Sequence, residues 1–120
     1  MTGEQLGRRL LRFDALYCAG AGLISAALCV PVARLFHVPV AVPVAAGAAT
    51  LVWAVVLARL ARSASWRGAV ARVAAANVVA AAALAALAVA APVLAGQLLL
   101  AAVALEVGGF GAGQFRALRR

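Results

Sequence analysis

Acidic side chains are nearly missing from this chain: Glu4, Asp14 and Glu106 are the only three in 120 residues, and lysine is absent. Histidine occurs once, at His37, so no paired-histidine ligand set for zinc or haem can be assembled. Cysteine occurs twice, at Cys18 and Cys29, with no CxxC. Eleven residues along one helix separate the two thiols by about 16 Å, which is beyond disulfide reach. Charged residues of both signs make up only 12% of the chain, against about 25% in soluble domains. No GxSxG, P-loop or strand-borne GxGxxG is present. These scarcities exclude a soluble enzyme, a disulfide-stapled secreted module and a disordered tail, and they call for no cofactor and no metal.

What the chain does have is apolar bulk and arginine. Hydrophobic residues are 68% of the total, mean hydropathy is +1.09, and 35 residues are alanine. Ala15 to Ala33 is a charge-free run of 19 residues, and Leu35 to Ala58 is another of 24, broken only by the titratable His37. The 43 residues from Val73 to Phe115 contain one charge, Glu106. A helix rising about 1.5 Å per residue crosses a hydrocarbon core of about 30 Å in about 20 residues. The first two runs are one span each, and the third is two spans joined by a turn at Pro92, Gly96 and Gln97. The expectation is an all-α, polytopic four-helix membrane bundle in a single domain, residues 1–120. Its helices are expected at about 13–33, 38–60, 70–91 and 97–116.

The arginines orient that bundle. Arg8, Arg9 and Arg12 precede the first span; Arg59, Arg62, Arg67 and Arg72 lie between the second and third; Arg116, Arg119 and Arg120 follow the fourth. Only Arg34 falls on the other side, and the positive side is expected to be cytoplasmic. The reading is therefore a multi-pass inner-membrane protein with both termini inside. A nucleic-acid partner is not expected despite the net charge of +8, because the arginines form short clusters beside spans, with no aromatic platform for bases. Arg8, Arg9, Arg12, Arg62, Arg67, Arg72, Arg116, Arg119 and Arg120 are read as topology markers that touch lipid headgroups. The Arg8-Arg9 pair ahead of an apolar run resembles a twin-arginine export signal only faintly, since the run is long for a cleaved segment and more spans follow.

Helical periodicity sorts the faces. Asp14, Cys18, Ala21, Ser25 and Cys29 share one side of the first helix, with Gly22 beside them, while Leu16, Leu23 and Val30 lie opposite. Pro43, Ala46, Gly47, Thr50 and Ala54 line up on the second helix; Asn77, Ala81, Leu84 and Ala88 do so on the third. Such stripes of small and weakly polar residues mark inward-facing surfaces. On the fourth helix Glu106, Gly109 and Gly113 fall together, with Ala102 a turn earlier, so the carboxyl is expected to enter a helix interface beside a GxxxG. Gly22, Gly47, Gly109 and Gly113 are accordingly expected to be packing residues.

Glu106, near the middle of its span, is the leading candidate for an ion or ligand site, with Asn77 and Asp14 along the same path. A structural role competes, with Glu106 hydrogen-bonded to Asn77, Ser25 or Thr50. Asp14 also has a structural reading, as a negative charge at the start of the first helix. His37 is expected in a solvated outer loop and Trp66 at the inner interface. GGFGAGQF at 108–115 is read as backbone contact between helices.

The segments LRFDALYCAGAGL at 11–23, RLFHVPVAV at 34–42, AAANVVAAA at 74–82 and the closing QFRALRR at 114–120 resemble uncharacterised small four-helix membrane proteins of high-GC actinobacteria, DoxX-like in layout. The resemblance implies an inner-membrane four-helix bundle and brings no activity with it. Small multidrug exporters carry their membrane glutamate in the first helix, where this chain has only Asp14, and fluoride channels have a phenylalanine motif that is missing here. The functional expectation is a non-enzymatic membrane protein acting through helix contacts, as a homo-oligomer or an accessory subunit. The alternative is a small proton- or cation-coupled transporter using Glu106.

Overall fold

The computed structural model describes residues 1–120 as five helices and no strand. In chain order these are α1 (Gly3–Ala27), α2 (Cys29–Phe36), α3 (Ala41–Leu60), α4 (Trp66–Ala90) and α5 (Leu94–Leu118). All but α2 are long and apolar enough to cross a membrane. The longest dimension is 44 Å, close to the 40–45 Å of a bilayer with its headgroup layers.

The spans expected at 38, 70 and 97 start at Ala41, Trp66 and Leu94, and both ends of the first helix differ from the sequence expectation, each for a local reason. The first helix begins near residue 3 because Thr2 caps it. The Gln5 amide donates to the Thr2 hydroxyl at 3.2 Å, and the Thr2 amide donates to the Gln5 side chain at 3.0 Å. Arg8, Arg9 and Arg12 therefore lie on the helix and do not precede it. The same helix stops at Ala27, where a single run to residue 33 was expected. Pro31 has no amide hydrogen for the Ala27 carbonyl and its ring crowds that carbonyl, so the chain bends at Leu28 and restarts as α2. At its far end α2 closes in a Schellman turn: the His37 amide donates to Arg34 and the Val38 amide to Ala33, with His37 left-handed at φ 53°.

The turn between α4 and α5 is shorter than expected and holds Pro92 alone of the three residues assigned to it. Gly96 and Gln97 are already helical. Gly96 is needed because a Cβ there would stand 2.9 Å from the Phe36 ring, and the Gln97 amide nitrogen donates to the Ala91 carbonyl at 3.0 Å.

The helices pack as two pairs, α1 along α3 and α4 along α5, with α1 joining the pairs. At the α1–α3 crossing Gly22 and Gly47 face each other. A Cβ on Gly22 would come within 2.8 Å of the Gly47 carbonyl oxygen, and one on Gly47 within 2.7 Å of the Gly22 oxygen. The backbones meet because neither carries a side chain. Nearby, the Ser25 hydroxyl donates to the Pro43 carbonyl at 2.8 Å. The apolar core lies at the arginine-bearing end, built from Leu11 and Ala15 of α1, Leu57 of α3 and Ala69, Val70 and Val73 of α4, with Ala61 just beyond α3. Outward-facing positions are themselves apolar, Leu16, Leu23, Val79, Val89 and Leu105 among them. That surface suits lipid and not water.

Candidate functional site

Polar side chains within the long helices fall into two separate places. The first is a closed triad built from three helices: Asp14 of α1, Asn77 of α4 and Gln114 of α5, exposed by only 2%, 4% and 0%. The Asn77 side-chain amide donates to Asp14 Oδ2 at 2.7 Å and to Gln114 Oε1 at 3.1 Å. Gln114 Nε2 completes the ring by donating to the same Asp14 Oδ2 at 3.1 Å. The Cys18 thiol, one turn after Asp14, donates to Oδ1 at 3.7 Å. No buried side-chain nitrogen or oxygen in the protein lacks a partner. Neither the groove between α1 and α3 nor the one between α1 and α5 is lined by any of these three residues. Its three hydrogen bonds tie α1, α4 and α5 together in one register.

Asp14 thus stands well inside α1 and not at its first turn, where the helix-dipole reading put it; that place belongs to Glu4. No arginine pairs with Asp14. Arg8 bonds Glu4 instead at 2.8 Å, the only ion pair in the protein. Gln114, a polar mark of the sequence with Asp14 and Asn77, is the member of the ring that was not among the candidate site residues. The available signal was its spacing, three residues after Gly111 and ten after Ala104, both buried on the same side of α5.

The second place is Glu106. Its side chain is exposed on the outside of the bundle, away from the triad. Of the partners considered for it, Asn77 is spent in the triad, Ser25 on Pro43, and Thr50 on the Ala46 carbonyl at 2.7 Å. The face it shares with Gly109 and Gly113, expected to enter a helix interface, lies at an open groove between α1 and α5 and not on the buried side of α5. Beside Gly109 no atom lies within 4 Å of where a Cβ would stand, and Gly113 meets only the Leu10 side chain. The buried side of α5 is instead Gly96, Ala104, Gly111, Gln114 and Ala117. Glu106 lines a groove of about 460 Å³ between α1 and α5, with Leu10, Tyr17, Gly109 and Phe110. The Tyr17 and Phe110 rings are 5.7 Å apart and tilted by 56°. Of the candidate trio, then, Asp14 and Asn77 come together and Glu106 does not join them.

The arginines divide by what they touch. Arg8 Nη1 donates to the Ala61 carbonyl at 2.8 Å, Arg67 Nη1 to Leu118 at 3.2 Å and Arg120 Nη1 to Met1 at 3.3 Å. Each closes off carbonyls at a helix end or ties the chain ends together. Arg9 lies over the Phe13 ring and Arg67 over Trp66, at 5.4 and 4.8 Å. Arg12, Arg62, Arg72, Arg116 and Arg119 are exposed and reach no acid, carbonyl or ring. No three His, Cys, Asp or Glu side chains converge as a metal site would require. No family model, curated protein or solved structure matches the chain.

Proposed function

We propose that the protein is a non-enzymatic inner-membrane protein, both ends cytoplasmic, that works by helix contact along the α1–α5 face, as a homo-oligomer or as a subunit of a membrane complex. The observation that carries this reading is an exposed carboxyl, with Tyr17 beside it and no cation near it, on a lipid-facing helix next to an open glycine. A carboxyl at mid-bilayer costs about 2.5–3.5 kcal/mol on insertion scales, and a hydrogen bond from a facing helix offsets part of that cost. Gly109 leaves room for such a helix to approach, since nothing of this chain fills the space above it. The orientation rests on the arginine count, ten at one end and one at the other.

A second reading has its own support. Glu106 beside the Tyr17 and Phe110 rings offers a carboxylate and π faces in one groove, which is chemistry for an organic cation. Cross-linking and single-molecule photobleaching in native-like bilayers separate the two. The contact reading expects more than one copy, or a constant partner, and expects Gly109→Leu to weaken that association at least tenfold. A wild-type protein that stays monomeric and alone overturns it. The transport reading expects pH-dependent flux in proteoliposomes that Glu106→Gln abolishes.

A further inference from the structure

A second groove, between α1 and α3 at the arginine-bearing end, has a volume of about 660 Å³. Ala15, Ala54 and Ala58 form its floor, and small side chains there leave the space open. Leu16 and Val55 form walls that are exposed along the outside of the bundle. Arg12 and Arg62 stand at its mouth. Both guanidiniums are free, whereas their neighbours are engaged, Arg8 by Glu4 and the Ala61 carbonyl and Arg9 by the Phe13 ring. We propose that this groove is a binding site for one anionic phospholipid, with an acyl chain on the alanine floor and the phosphate held between Arg12 and Arg62.

The charge pattern selects that occupant. Two unneutralised guanidiniums at the end of an apolar channel fit an amphiphile whose head is anionic, and guanidinium binds phosphate through paired N–H donors. A second copy of this chain lacks the complement. Of its acids, Glu4 is paired with Arg8, Asp14 is sealed in the triad, and Glu106 lies near the middle of α5. The proposal is independent of the oligomer reading, because the groove is on the α1–α3 side and Glu106 is on the α1–α5 side.

The test uses the full chain in nanodiscs made from equal parts phosphatidylglycerol and phosphatidylcholine, released into native mass spectrometry. The expected result is retention of one phosphatidylglycerol per chain in preference to phosphatidylcholine. Arg12→Gln or Arg62→Gln should weaken retention about fivefold each and the pair about thirtyfold, corresponding to roughly 1 kcal/mol per arginine at the membrane surface. Ala58→Leu, which fills the groove without touching charge, should also weaken it while far-UV circular dichroism stays unchanged. Arg59→Gln with Arg119→Gln removes the same charge from the same end and should leave retention intact. Equal retention of the two lipids, an equal loss in the Arg59/Arg119 pair, or full retention by both the arginine pair and Ala58→Leu overturns the site.

Discussion

Asp14, Asn77 and Gln114 show how much a few polar atoms can govern in a chain of alanines. Alanine faces slide and rotate with little penalty, because their side chains are nearly identical from turn to turn. Three hydrogen bonds among three helices allow only one register. Replacing Asn77 by Leu removes two of those donations and leaves Asp14 short of a partner. The expected cost is about 1–3 kcal/mol, read as a lower midpoint of helix loss in a mixed-micelle denaturant titration. Leu57→Ala, in the fully buried core, should cost about 2–5 kcal/mol by the same measurement. His37 has the opposite sign. As a left-handed residue closing α2 it is strained, and His37→Gly should raise stability by about 0.5–1 kcal/mol.

Among the elements, α1 organises the rest. It supplies Asp14 to the triad, Gly22 to the α3 crossing and Leu11 and Ala15 to the core. Gly47→Leu should drive the α1–α3 crossing apart, because its Cβ would sit 2.7 Å from the Gly22 backbone oxygen, where no rotamer change can relieve it. The expected outcome is a loss of at least 1–3 kcal/mol in thermal unfolding, roughly the cost of overpacking, with α4–α5 contacts less affected. The periodicity of these helices was readable in advance. Leu16, Leu23 and Val30 do face outward, and Asn77 and Ala88 do face inward. Their ends were less readable. Counting charge-free residues placed the start of α1 after its arginines, although a Thr2-x-x-Gln5 capping pattern stood in the sequence. The Pro31 break was visible as a residue but not as an event, since proline in the first turn of a helix is tolerated and only its position relative to Ala27 made it a break.

For the whole molecule, the testable claim is orientation. In a background with Cys18 and Cys29 replaced by alanine, a thiol introduced as Ser63→Cys should stay unlabelled by an impermeant maleimide until cells are permeabilised. His37→Cys should be labelled in intact cells with the outer membrane opened. The reverse pattern would invert the charge-based assignment.

Sequence alone carried the class of this protein, because the length of an apolar run and the rise of a helix are both one-dimensional quantities. It carried which residues share a side of a helix for the same reason, since periodicity is a property of a single helix. What it could not carry is which face meets which neighbour. Glu106, Gly109 and Gly113 share a side of α5 as expected, yet that side looks outward, and Gly111 and Gln114 look inward. The choice depends on how α5 rotates to bury Gln114 against Asp14 and Asn77, and that rotation exists only once α1 and α4 are in place. Closing the triad turned Glu106 to the surface.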